Sequence, residues 1–285
     1  MVKHRRSETV TNQQSRIEVL VEGAGPPVAL LPSYGRDGVV DFDDFAGQVA
    51  ADGYTVIRPQ PRGAAGSTGV MDDVSLTDLG ADVASALRAT AHEPAVLLGH
   101  AFGNIVARVV AAVWPESVRA VGLLAASGSC PPPDIRDTPT IAGDLTAPEA
   151  VRLDALRRGF FAPGHDPHAW LTGWYPDVLA MEVAAVPGGD LRKNSFWSAG
   201  TARLIEVIPE FDPFKPHDQW LELRDENGGR VTTRIVAGAG HALFPEEPVG
   251  LLDALLPVLR RLCRPRVVPA PTDTPPLSAG NGAGS

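Results

Sequence analysis

The sequence predicts an α/β fold, with a mostly parallel, twisted sheet that carries helices on both faces. Short, continuously apolar segments alternate with longer segments of helical period, as expected for buried strands connected by helices. This alternation stops at residues 131–200, where aromatic residues are frequent and no strand pattern is found. A length of 285 residues and a hydrophobic content of 44% are sufficient for a large buried core.

Strands are predicted at short runs rich in apolar and β-branched residues. The predicted strands are Ile17–Val21, Val28–Leu31, Thr55–Arg58, Ala95–Leu98, Val118–Ala125, Arg203–Ile208 and Val231–Val236. Helices are predicted where apolar residues recur every three to four positions. The predicted helices are Asp43–Ala51, Thr77–Ala89, Phe102–Val113, Pro148–Arg158, Pro167–Val183 and Pro248–Leu262.

The change of pattern divides the chain. Residues 16–130 and 201–263 are predicted to form the α/β core, and residues 131–200 a helical cap inserted between two strands. Residues 1–15 lack a hydrophobic period, and residues 264–285 are rich in Pro, Thr, Ser and Gly, so both ends are expected to be disordered tails.

Charge and composition exclude several classes of function. The chain has 34 acidic and 25 basic residues, a net charge of −9, which argues against nucleic acid as a partner because phosphate binding needs clustered cations. Its two cysteines form no metal-binding pattern, and we expect no metal. The longest apolar run is interrupted by His100, Asn104 and Arg108, so no membrane span is predicted. Because no signal peptide is evident, a cytoplasmic location is expected.

The most informative segment is Gly99-His100-Ala101-Phe102-Gly103, which joins a predicted buried strand directly to a predicted helix. A Gly-x-X-x-Gly pentapeptide in this context permits a sharp turn that projects its central side chain above the sheet. This arrangement is the nucleophile elbow, and here the residue at its centre is Ala101.

Four further motifs occur in matching order: Gly23–Gly35, Arg58–Ser67, Phe211–Pro216 and Gly238–Pro248. Together with the elbow, they resemble the capped α/β-hydrolase family over residues 16–263. The resemblance implies an α/β-hydrolase fold, an oxyanion loop in the first motif, a catalytic acid in the third and a catalytic histidine in the fourth.

The chain departs from the family at the elbow, where hydrolytic members have Ser, Cys or Asp. The methyl group of Ala101 cannot attack a carbonyl carbon, so an ordinary acyl-enzyme mechanism is not expected. Loss of such a nucleophile costs about 10⁶ in kcat in a well-studied protease, although about 10³ over water survives from the oxyanion hole and binding.

The resemblance assigns His241 as the catalytic base and Asp212 as the acid that orients it. Glu206 and Glu210 lie near the same predicted strand end and remain alternatives to Asp212. The backbone amides of Tyr34 and Phe102 are expected to form the oxyanion hole. Ser33 could add a hydroxyl group, and His100 is expected to form a hydrogen bond beneath the elbow.

We expect a pocket under the cap that binds an apolar small molecule bearing a carbonyl group. Its candidate contacts are Ser33, His100, Trp170, Trp174, Phe196 and Trp197. No cofactor is implied, and the sequence leaves the oligomeric state open.

The leading functional hypothesis is an enzyme that uses His241 and Asp212 for acid–base catalysis without a covalent intermediate. Hydrolysis and lyase- or cyclase-type chemistry are both compatible with this set of residues. One alternative is a ligand-binding protein without turnover. Another is an engineered knockout of an ordinary esterase in which Ala101 replaces a native serine.

Overall fold

The computed structural model describes residues 5–188 and 190–263. Its strands, in chain order, are β1 (Arg6–Thr11), β2 (Ser15–Gly23), β3 (Pro27–Leu31), β4 (Thr55–Pro59), β5 (Thr68–Gly69), β6 (Ala95–His100), β7 (Val118–Leu124), β8 (Arg203–Pro209) and β9 (Val231–Val236). Its α-helices are α1 (Asp43–Ala51), α2 (Leu76–Thr90), α3 (Phe102–Val113), α4 (Thr138–Gly143), α5 (Glu149–Gly159), α6 (Pro176–Ala185), α7 (Glu222–Asn227) and α8 (Pro248–Leu262).

The described strands form one twisted sheet in the order β1-β2-β4-β3-β6-β7-β8-β9, with β5 paired to β2. The β1–β2 and β2–β4 pairs are antiparallel. From β4 to β9 all neighbouring strands are parallel. The predicted α/β fold with a mostly parallel sheet is therefore confirmed.

The central strands are apolar on both sides because each face of the sheet is covered by helices. Along β3, Val28 and Leu30 pack in the core with α1 and α8, whereas Ala29 and Leu31 pack in the opposite core with α2 and α3. This alternation of side chains explains the continuous apolar runs in the sequence. In the described part of the chain, no helix is both long and apolar enough to cross a membrane.

The seven predicted strands are all present, with ends within two residues of the prediction. The expectation of a disordered tail over residues 1–15 is wrong where the structure describes it, because Arg6–Thr11 pairs along its whole length with β2. Backbone hydrogen bonds, rather than buried side chains, hold this edge strand, so its sequence shows little hydrophobic period. The predicted tail at 264–285 lies outside the described residues.

Helices connect β7 to β8 within residues 131–200, which we call the insertion. The predicted helix at 167–183 is wrong as one element. It is a 3₁₀ turn at Pro167–Trp170 followed by α6. Gly173 separates the two with a φ of 80°, in the left-handed region that favours glycine. The insertion has its own aromatic core, in which Phe160, Trp170 and Trp174 pack together.

Candidate active site

The turn between β6 and α3 has the strained backbone of an elbow. Ala101 has φ 47° and ψ −111°, values that a non-glycine residue rarely adopts. A Cβ at Gly99 would overlap the carbonyl oxygen of Gly103, and a Cβ at Gly103 would overlap that of Leu31. Both glycines are therefore sterically required, which explains the pentapeptide seen in the sequence. The Ala101 amide donates to Leu124 O at 2.9 Å, which fixes the turn above the sheet.

His241 and Asp212 meet beside this turn. The Nδ1 atom of His241 lies 3.0 Å from Oδ2 and 3.1 Å from Oδ1 of Asp212, and both side chains are almost completely buried. Because a carboxylate only accepts hydrogen bonds, Nδ1 carries the proton in the neutral imidazole and Nε2 is left as the basic nitrogen. Phe214 packs on the His241 ring with a centroid distance of 4.6 Å.

The structure distinguishes Asp212 from the two glutamates near the same strand end. Glu206 lies 2.7 Å from Lys215 Nζ in a buried ion pair. Glu210 accepts a hydrogen bond from the Gly238 amide at 2.9 Å. Because Lys215 follows Asp212 closely in the chain, the Glu206 pair also secures the loop that carries Asp212. Neither glutamate forms a hydrogen bond with His241, so Asp212 is the partner of the imidazole.

His100 holds the main chain of the histidine loop from below. Its Nε2 lies 2.8 Å from the carbonyl oxygen of His241, and since a carbonyl only accepts, Nε2 is the donor. Complete burial, together with the nearby His241, lowers the pKa of His100 to about 3. His100 is therefore neutral across the physiological pH range, and its role is to orient the loop.

Glu246 also fixes the histidine loop, and nothing in the sequence analysis had singled it out. It accepts hydrogen bonds from the amides of Ala162, in the insertion, and Gly240, next to His241, at 2.7 and 2.9 Å. Burial raises the pKa of Glu246, and the two amide hydrogen bonds oppose that rise. The insertion and the histidine loop are therefore joined by a bridging carboxyl group.

The amides expected to form the oxyanion hole belong to Tyr34 and Phe102, whose rings stack with centroids 4.4 Å apart. Phe102 is the first residue of α3, so its amide has no partner within the helix. Within the described residues, the Tyr34 amide donates to no other group of the protein. Two backbone donors are thus free next to the elbow.

These groups face one cavity of about 480 Å³. Of the predicted site residues, Ser33, Tyr34, Ala101, Phe102, Trp197 and His241 line it. Its other walls include residues that the sequence analysis did not propose as contacts: Asn104, Ile105, Ser127, Ser129, Pro131, Pro139, Phe160, Asp190, Leu191, Arg192 and Phe214. Most of these come from loops whose proximity depends on the tertiary fold, so no local sequence pattern identifies them.

Four predicted contacts do not line this cavity, so the prediction is wrong for them. Trp170 and Trp174 are buried in the aromatic core of the insertion, and His100 lies beneath the histidine loop. Phe196 packs against the α2–α3 side of the core. Trp170 and Trp174 instead bury their large apolar area inside the insertion, which stabilises the insertion.

In residues 5–188 and 190–263, no group of three or more His, Cys, Asp and Glu side chains has the arrangement of a metal site. The polar side chains around the cavity are those already described, together with the serines and the Asp190–Arg192 pair. The arrangement supplies an oriented imidazole and free amide donors, which suits proton transfer next to a polarised carbonyl group.

Comparison with known proteins identifies similar sequences and similar folds. The chain is 26% identical over 204 residues to pyrrolizixenacetamide deacetylase of Xenorhabdus hominickii, covering 70% of each protein. Its fold matches the thermophilic esterase of Thermogutta terrifontis with a TM-score of 0.73 and 18% identity, covering 92% of this chain and 100% of the esterase. It matches the bromoperoxidase of Bacillus anthracis with a TM-score of 0.72 and 18% identity, covering 90% and 100% of the two chains.

The two structural matches show the fold alone, because their sequence identities are low. The family described as the alpha/beta hydrolase fold matches residues 26–264, which span the elbow, the acid loop and the histidine loop. This chain therefore belongs to the α/β-hydrolase family.

Proposed function

We propose that this protein is an enzyme that acts on a small carbonyl compound by acid–base catalysis at His241, without a covalent enzyme intermediate. One observation carries the proposal. His241, which is hydrogen-bonded to the buried Asp212, lines one cavity with the strained elbow, although Ala101 supplies no nucleophile. A strained turn and a buried acid both cost stability, so their presence together favours a role for the site.

In a hydrolytic reaction, Nε2 of His241 takes a proton from water as the water oxygen bonds to the substrate carbonyl carbon. The amides of Phe102 and Tyr34 hold the resulting oxyanion. When the bond to the leaving group breaks, the leaving atom takes the proton from Nε2. Asp212 stabilises the imidazolium between these two steps. The methyl group of Ala101 leaves space for the attacking water.

The same groups support a lyase- or cyclase-type reaction. There, Nε2 removes a proton from the carbon next to the carbonyl group, and the two amides hold the enolate oxygen. The likeness to a deacetylase favours hydrolysis of an acyl group as the first reaction to test. We also propose that the insertion is a cap, since Pro131, Pro139, Phe160 and Trp197 line the cavity together with the core.

The test is turnover of p-nitrophenyl esters and p-nitroacetanilide by the native protein, His241→Ala and Ala101→Ser. Exposed His168, which pairs with Asp166, provides the matched control His168→Ala. We expect slow native turnover of at least one substrate, on the order of 10³ over the uncatalysed reaction. We expect its loss in His241→Ala, its retention in His168→Ala, and a gain of at least tenfold in Ala101→Ser.

A silent native protein that becomes active as Ala101→Ser would indicate an intact base and oxyanion hole, and would move the search to non-hydrolytic reactions or a disabled esterase. If neither the native protein nor Ala101→Ser shows turnover although both are folded, the proposal is contradicted and a ligand-binding protein is favoured. Equal native and His241→Ala turnover would contradict the assignment of the base.

A further inference from the structure

The insertion holds the turn that carries Tyr34 through both the amide and the carbonyl group of Gly35. The Gly35 amide donates to Glu182 Oε2 at 2.7 Å, and the Gly35 carbonyl accepts from the Tyr175 amide at 2.8 Å. Gly35 has a φ of 59°, and a Cβ there would lie 2.8 Å from Leu179 Cβ. The backbone of this turn therefore packs directly on α6.

The next residues strengthen this contact. Arg36 donates to the carbonyl oxygen of Thr172 at 3.1 Å, and its guanidinium lies 4.5 Å from the centre of the Trp170 ring. Asp37 accepts a hydrogen bond from the Tyr175 hydroxyl at 2.8 Å. Contacts with the insertion thus fix the position of residues 35–37. The Tyr34 amide lies immediately before these residues in the chain.

Glu182 is the chemically unusual member of this contact. It is 2% exposed and has no ion-pair partner within the described residues. Glu182 lines a second, small cavity, whose other charged groups are Arg62 and Asp82, which form an ion pair with each other. Tyr34 is the nearby titratable group of the oxyanion loop. Burial raises the pKa of Glu182 to about 8, and the Gly35 hydrogen bond opposes this rise.

We propose that Glu182 is a positioning residue that fixes the Ser33–Arg36 turn through the Gly35 amide and aims the Tyr34 amide at the substrate oxygen. This inference rests on the proposed oxyanion role of that amide. Glu182 does not line the cavity that His241 faces, so it acts through the Gly35 backbone.

The protonation state of Glu182 matters because negative charge develops nearby during the reaction. An ionised Glu182 would place a negative charge one residue from the amide that receives the oxyanion, in a water-poor region where repulsion between like charges is strong. A neutral acid accepts the Gly35 hydrogen bond without that repulsion. Turnover should therefore decrease as the pH rises through about 8, when Glu182 loses its proton.

The kinetic test uses Ala101→Ser as the active background and p-nitrophenyl acetate as the probe. Adding Glu182→Gln keeps the acceptor but removes the ionisation, so the fall in kcat between pH 7 and pH 9 should disappear. Adding Glu182→Leu removes the acceptor and should lower kcat about tenfold at pH 7 with little change in KM. Asp177→Asn, at an exposed carboxylate of the same helix, should keep the pH profile of the background.

A fall in kcat that persists unchanged in Glu182→Gln, or an unchanged kcat in Glu182→Leu, would overturn the proposal. A merely structural Glu182 would lower stability without moving the pH profile. If Glu182→Leu does not fold, comparing the pH profile of kcat in Glu182→Gln with that of the Ala101→Ser background still tests the proposal.

A second measurement separates this proposal from the proposed function. The ¹⁵N–¹H resonance of Gly35 in the native protein should shift with a midpoint near pH 8, and Glu182→Gln should abolish the shift. If the native protein and Ala101→Ser are both inactive but the Gly35 titration is present, the proposed function fails while the coupling of Glu182 to the turn stands. If the titration is absent, the positioning role fails whatever the activity.

Discussion

At the residue scale, the site combines a hydrogen-bonded His241–Asp212 pair with an elbow whose central residue, Ala101, has no nucleophilic side chain. The imidazole is hydrogen-bonded to its carboxylate, and Tyr34 and Phe102, whose amides are the expected oxyanion donors, line the same cavity as the elbow. His241, Asp212 and Ala101 are each identified by a local motif in the sequence. Glu182 and Glu246 are not, because each acts on backbone groups that only the folded chain brings within reach.

Asp212→Asn tests the acid directly. Because a side-chain amide can donate as well as accept, this substitution would favour the wrong tautomer of His241, and we expect turnover in the Ala101→Ser background to fall by at least 10³. Glu210→Gln is the matched control on the same loop, with turnover expected within about twofold of the background. A comparable loss in both variants, measured as kcat/KM on p-nitrophenyl acetate, would show that Asp212 is not the specific partner.

At the element scale, the strand–turn–helix unit holds Ala101 in a strained backbone conformation, although the side chain of Ala101 has no reactive group. Ala101→Gly should stabilise the protein by about 1 kcal/mol, because glycine adopts a positive φ freely, which outweighs its extra entropy in the unfolded chain. Ala180→Gly, on the exposed side of α6, should destabilise it by about 1 kcal/mol. Urea unfolding of the three proteins measures both effects, and a loss of stability in Ala101→Gly would contradict the strain argument.

At the scale of the whole molecule, two buried groups shape the dependence of stability on pH in opposite directions. The pKa of His100 falls from 6.5 to about 3 on folding, so its contribution is complete above pH 6.5 and is lost as the pH falls. The pKa of Glu182 rises from 4.5 to about 8, so its contribution is lost as the pH rises from 4.5 to 8. Each slope approaches about 1.4 kcal/mol per pH unit at most.

Between pH 4.5 and 6.5 these two slopes oppose each other, so native stability should change little with pH. In His100→Gln the Glu182 slope remains, and the free energy of unfolding should fall steadily from pH 4.5 to 8. In Glu182→Gln it should rise up to pH 6.5 and then level off. Urea unfolding at closely spaced pH values measures the three curves, and parallel curves would contradict the assignment.

The sequence by itself determined the parallel core, the elbow and the order of acid and histidine, because these depend on local periodicity and short motifs. The tertiary structure alone decided that β1 belongs to the sheet, that Trp170 and Trp174 pack inside the insertion, and that Glu182 reaches the Gly35 amide. These features depend on contacts between residues far apart in the chain. Their energy comes from burial and from pairing of backbone groups, neither of which leaves a local pattern.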